Sequence, residues 1–168
     1  IRFVLFTGEE QGLYGSEAFA AAADAANENI VAVINMDMVA YDSDGDGALH
    51  LYVRPSSSGD RDIAATFTNV VRVYGLGSGL APEIIVEASD WSDHYSFTSH
   101  GFPAICAIED DVDDFNPYYH TASDTLDRLN LAYFTRYAQA VVGTAAHLAK
   151  VAGSAATLAL APAGRTHS

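Results

Sequence analysis

The stretch IRFVLFTGEEQGLYGSEAFAAAADAANENIVAVINMDM (residues 1–38) decides the fold class. IRFVLF (1–6) is a short, near-continuous apolar run, the pattern of a central strand covered on both faces. GSEAFAAAADAANE (15–28) is rich in alanine and therefore strongly helix-forming, with Ser16 placed to cap its start. IVAVINMDM (30–38) repeats the buried-strand pattern. Strand, helix and strand in succession predict an α/β chain built on a mostly parallel sheet.

The rest of the chain continues the alternation. ALHLYVR (48–54) reads as a strand preceded by the turn DSDGDG (42–47), and DRDIAATFTNVVRVYG (60–75) carries a helical apolar stripe closed by Gly75. EIIVEA (83–88) and FPAICAIE (102–109) read as strands, with a helix over 89–101, capped by Ser89 and ended by Gly101, between them. The longest helix is expected over 129–152. The strands on either side of DSDGDG are expected to pair as a hairpin, which would make the sheet mixed. The fold class is therefore a three-layer α/β/α sandwich with a mixed, mostly parallel central sheet. Residues 1–152 form the domain, and 153–168, rich in Ala, Gly, Ser and Thr, read as a linker or tail.

Composition narrows the partners. With 22 acidic against 8 basic residues the formal net charge is −14, a field that repels nucleic acid and anionic lipid and favours cations. No apolar run reaches membrane-spanning length. The single cysteine, Cys106, lies in an apolar run; it reads as a core residue and excludes an internal disulfide. The chain opens on Ile1 inside an expected strand, which suggests a piece cut from a longer precursor.

In open α/β sheets ligands bind beyond the carboxyl ends of the strands. Glu9 and Glu10 follow the first expected strand, Asp37 ends the second, and Glu109 with Asp110 ends the last. Gathered at one mouth, these anions are costly unless a dication neutralises them. Successive side chains of an extended segment point apart, so Glu9 and Glu10 divide as one ligand and one base rather than chelating together. His120 stands in the polar loop YYHTASDTL (118–126), and Glu10, Asp37 and His120 are three donors of the kind a catalytic zinc takes. Asp90 and His94, four apart on an expected helix, have a spacing that permits joint metal binding; alternatively Asp93 and His94 orient ligands or substrate. Asp42, Asp44 and Asp46 resemble the first half of a calcium loop, but Val53 stands where the twelfth-position glutamate belongs, so a turn is the simpler reading.

FTGEEQGLYGS (6–16), INMDM (34–38), SDWSDHYSF (89–97) and NPYYHTASDTLD (116–127), in that order, resemble the zinc-dependent aminopeptidases of the bacterial leucyl-aminopeptidase type. Glutamate carboxypeptidases and glutaminyl cyclases are relatives of that family. The resemblance implies Glu9 as general base, Glu10 and His120 as ligands of one zinc, and Asp37 as a ligand of a neighbouring zinc. It implies Tyr119 as a stabiliser of the developing oxyanion and Asp93 as an active-site acid that orients ligands or substrate. The family's remaining ligands, a histidine and a metal-bridging aspartate, would lie upstream of Ile1, so the chain looks like the C-terminal part of the catalytic domain. The activity implied is removal of N-terminal residues from peptides with a free amine by a zinc-activated water, in an exported protein. A carboxypeptidase or cyclase, a homologue that binds without catalysis, and a calcium-binding module on Asp42–Asp46 are the alternatives. Arg54, Arg61, Arg72, Arg128 and Arg136 are scattered, without the cationic cluster a carboxypeptidase wants.

Overall fold

Strand β4 (Ala104–Glu109) organises the sheet, because all six of its residues are buried. Such a strand must be covered on both faces and paired on both edges. Its edges are taken by β1 (Val33–Asp37), which runs parallel to it, and β2 (Ala48–Val53), which runs antiparallel. β3 (Ala81–Val86) then adds to β2 in parallel, giving the order β1-β4-β2-β3. The sheet is mixed and mostly parallel, as expected, but not through a hairpin: β1 and β2 flank β4 and do not touch. The computed structural model describes residues 1–149.

Helices α2 (Ser58–Val73) and α4 (Leu131–Leu148) cover one face. Ile63, Phe67, Tyr133 and Tyr137 meet Leu49, Leu51, Val53, Ile105 and Ala107 there in the main core. Helices α1 (Tyr14–Ala25) and α3 (His94–Ser99) lie over the other face, where Ala20 and Phe97 pack on Ala104 with Phe6, Phe19 and Val33 alongside. The three-layer α/β/α arrangement follows. Cys106 is fully buried in β4, as its sequence context requires. Among the described residues no helix is long and apolar enough to cross a membrane.

Four local expectations are corrected. IRFVLF is not a strand: residues 1–6 have no ladder partner, and Leu5 is 98 % exposed. An apolar run becomes a strand only by pairing, and of the six only Phe6 finds a core, against Phe19 and Phe97. The helix predicted over 89–101 is reduced to α3, because Ser89 turns to the His94 ring, its hydroxyl 2.8 Å from Nε2, instead of capping. Gly101, at φ 81°, does end it. Ser16 lies one turn inside α1, bonding Leu13 O and Ser96 rather than acting as a cap. Helix α4 stops at Leu148, short of the predicted 152; the rest of that prediction and the linker at 153–168 lie outside the described residues.

Candidate metal and catalytic site

β1 and β4 run parallel, so Asp37 and the loop after Glu109 emerge on the same rim of the sheet. The glycine-punctuated loop between residues 7 and 15 folds down onto that rim. Gly12 and Leu13 N–H donate to Glu9 O, Tyr14 N–H to Gly8 O, and Gly15 N–H to Thr7 O. Gly15 is required there, since a Cβ would come within 2.6 Å of Thr7 O. The tight loop fixes the backbone from which Glu9 and Glu10 project.

His120 is delivered from the other side. Asn116 is buried and accepts the Tyr118 N–H through its side-chain oxygen, while its carbonyl accepts from Tyr119. The turn leaves His120 in left-handed backbone, φ 57°. For a residue with a Cβ that conformation costs about 1–2 kcal/mol, a strain commonly held at functional sites. The Tyr119 ring stacks on the imidazole at 3.7 Å with 20° between the planes.

These elements bring the predicted residues together. His120 Nε2 lies 2.6 Å from Glu10 Oε1. The Glu9 carboxyl is raised above its usual range, first by burial, then by the charges of Asp37, Glu10 and Asp93, with His120 acting the other way. Tyr119 is raised by burial and by Glu10, Asp37 and Glu9. Glu9, Glu10, Asp37, Asp93, Tyr119 and His120 therefore share one electrostatic neighbourhood. Their donor types suit a dication: the His120 imidazole and the Glu10 carboxylate are in contact, Glu9, Asp37 and Asp93 act on the same neighbourhood through their charges, and Asp93 Oδ1 is buried without any hydrogen-bond partner.

Two side chains that the sequence reading did not single out support Asp37. Asn35 and Asp37 lie on the same face of β1. Asn35 Nδ2 donates to Ser92 Oγ at 2.8 Å, which leaves the Ser92 proton free to donate to Asp37 Oδ2 at 2.6 Å. The relay holds one Asp37 oxygen and aims the other. Ser92→Ala is expected to weaken divalent-metal binding about tenfold by calorimetric titration; wild-type affinity in that variant would make the bond incidental. The usable signals were the i, i+2 spacing of Asn35 and Asp37 and the serine inside SDWSDH.

Other expectations are not met. Asp90 is exposed and precedes α3, so it shares no helix face with His94. His94 is buried against Ser89, and burial lowers its pKa to about 4. Glu109 lies on the opposite face of the sheet from Asp37, and Asp110 approaches His50 at 3.9 Å. By contrast, Asp42, Asp44 and Asp46 do gather: their oxygens lie within 4.8 Å of one another, and one oxygen of each accepts a backbone N–H, from Gly47, Asp46 and Ala48 respectively.

Residues 1–145 match the sequence pattern of Peptidase family M28. Leucine aminopeptidase 1 of Arthroderma otae is 32 % identical over 152 residues, spanning 89 % of this chain and 40 % of the relative. LapA aminopeptidase of Legionella pneumophila superposes with a TM-score of 0.73 at 26 % identity, covering 87 % of this chain and 38 % of that one. The fold is also that of BSAP, a zinc aminopeptidase from Bacillus subtilis, at a TM-score of 0.70 and 21 % identity, over 88 % of this chain and 35 % of that one. The chain thus spans about two-fifths of the length of the curated relative it matches.

Proposed function

The chain belongs to Peptidase family M28, and from that premise we propose that it carries the base and metal-binding half of a zinc aminopeptidase site, which removes N-terminal residues from peptides. The observation that carries this reading is the convergence of Asp37, Glu10, Asp93 and His120 around a Glu9 carboxyl raised by burial and by those acids. In the proposal Glu10 and His120 hold one zinc and Asp37 a second, with further ligands supplied elsewhere in the protein. Zinc, when bound, supplies Lewis acidity and draws the pKa of a coordinated water toward neutrality.

The chain's own residues do the rest. Glu9 accepts a proton from the attacking water and returns it to the leaving amine. The Tyr119 hydroxyl stays protonated, since burial and three neighbouring acids raise it, and so can donate to the developing oxyanion. One such donor is worth ~3 kcal/mol of barrier. The unpaired, buried Asp93 Oδ1 is an acceptor for a cationic α-amine, and the net charge of −14 draws such substrates in. A carboxypeptidase would need a cation facing the cluster, whereas the charged groups that shift Glu9 are Asp37, Glu10, Asp93 and the His120 imidazole, with no lysine or arginine among them. Calcium at Asp42–Asp46 has only the acidic cluster in its favour.

The test is zinc content together with hydrolysis of a leucine anilide. His120→Ala should lower zinc occupancy and hydrolysis in parallel. Unchanged zinc in that variant would remove His120 from the ligand set, and calcium in place of zinc in the purified protein would overturn the peptidase reading.

A further inference from the structure

Glu109 closes β4 with only 2 % of its surface exposed. It lies on the face covered by α2 and α4, away from the cluster around Glu9. Its Oε2 accepts two backbone N–H groups, from Ala40 at 2.7 Å and from Tyr41 at 2.6 Å. Its own N–H donates to Met38 O at 2.8 Å. One residue thus grips the chain immediately beyond Asp37 at three points, across the left-handed bend at Met38, φ 46°.

The gripped segment carries a second set of contacts, to the loop that bears His120. The Tyr41 ring meets Tyr118 edge-on at 6.5 Å, two residues before His120. Ser43 donates both its backbone N–H and its hydroxyl to the Asp114 carboxylate. Ala40 O accepts from Asn130 N–H at the start of α4. Residues 38–43 are therefore mounted on β4 on one side and support residues 114–120 on the other.

We propose that Glu109 is a positioning residue that sets the placement of His120 relative to Asp37 through the 38–43 loop. The proposal rests on the reading in which those two residues hold metal. Glu109 touches neither of them. It acts by satisfying two N–H groups that would otherwise be buried without partners. What the role requires is a fixed acceptor oxygen, so a glutamine amide oxygen can fill it and an apolar side chain cannot.

The experiment compares the chain with Glu109→Gln, Glu109→Ala and a core control, Val53→Ala. Amide hydrogen exchange on the metal-free chain is one readout and zinc affinity by calorimetry the other. Glu109→Ala should speed exchange at Ala40 and Tyr41 and also at Tyr119 and Thr121, by tenfold or more beyond the control. It should weaken zinc binding by about tenfold. Glu109→Gln should stay within about twofold of wild type on both readouts. If Glu109→Ala does not fold, Glu109→Asp, which withdraws the carboxylate by one methylene, replaces it. Exchange confined to residues 40 and 41, or zinc affinity no weaker than in Val53→Ala, would reduce Glu109 to a structural brace and overturn the proposal. A wild-type chain that binds no zinc would count against the metal reading instead, and the exchange pattern would decide the role of Glu109 without it.

Discussion

Replacing Glu9 with glutamine in the zinc-loaded protein should leave zinc content unchanged and lower kcat by ~10²–10⁴-fold, the range that general-base catalysis supplies. Glutamine keeps the size and the hydrogen-bonding reach of the side chain but cannot take up a proton. The loss should fall on kcat with little change in KM, because the proton moves only as the bond to carbon forms. In this reading the acid limb of the wild-type rate profile reports protonation of the Glu9 carboxylate. In the variant that limb should disappear along with most of the rate. Elemental analysis and a rate–pH series on one preparation decide the matter. Zinc lost in proportion to activity would show that Glu9 is a ligand and that its role and that of Glu10 are exchanged.

The motifs make the site legible because its residues lie close in sequence to the features that aim them. The glycines and turn of residues 7–15 fix Glu9 and Glu10, the end of a buried strand fixes Asp37, and the Asn116 turn fixes His120. What the sequence conceals is pairing between distant segments. A ten-residue acidic connection between two strands suggests a hairpin, yet β4 lies between them because six consecutive buried residues demand two paired edges. The strand-like run at residues 1–6 shows the same limit: periodicity reports apolar content, and pairing partners decide whether a strand forms. The partners of Ser92 and Glu109, rather than the residues themselves, were hidden for a related reason. Each acts on a residue more than fifty positions away, through a hydrogen bond that no local pattern announces.

In the metal-free chain the contributions of Glu109 and His94 to the pH dependence of stability should cancel between about pH 4.5 and 6.5, and Glu109→Gln should abolish that balance. Burial raises the Glu109 carboxyl from 4.5 to about 7, opposed by the N–H groups of Tyr41 and Ala40 and assisted by Asp124 and Asp114. The folded state therefore holds a proton that the unfolded chain releases. Its contribution is full below pH 4.5 and is lost as pH rises through 7, with a span of about 3 kcal/mol. His94 runs the opposite way. Burial lowers it from 6.5 to about 4, so the unfolded chain binds the extra proton and stability falls as pH drops through that window, again by about 3 kcal/mol. The two slopes are opposite in sign and overlap, so they cancel in wild type. In Glu109→Gln the His94 slope is no longer offset, and relative to wild type the variant should lose roughly 2–3 kcal/mol between pH 6.5 and 4.5. Its gain on wild type is complete above pH 7, where wild type keeps a buried anion near Asp114 and Asp124. Every other titrating group is common to both proteins, so the difference between their urea-unfolding curves across pH isolates Glu109. The amide NH₂ introduced at this position adds only a constant offset. Parallel stability–pH curves for the two proteins would mean that the buried carboxyl titrates normally and that its clamp on Ala40 and Tyr41 is anionic throughout.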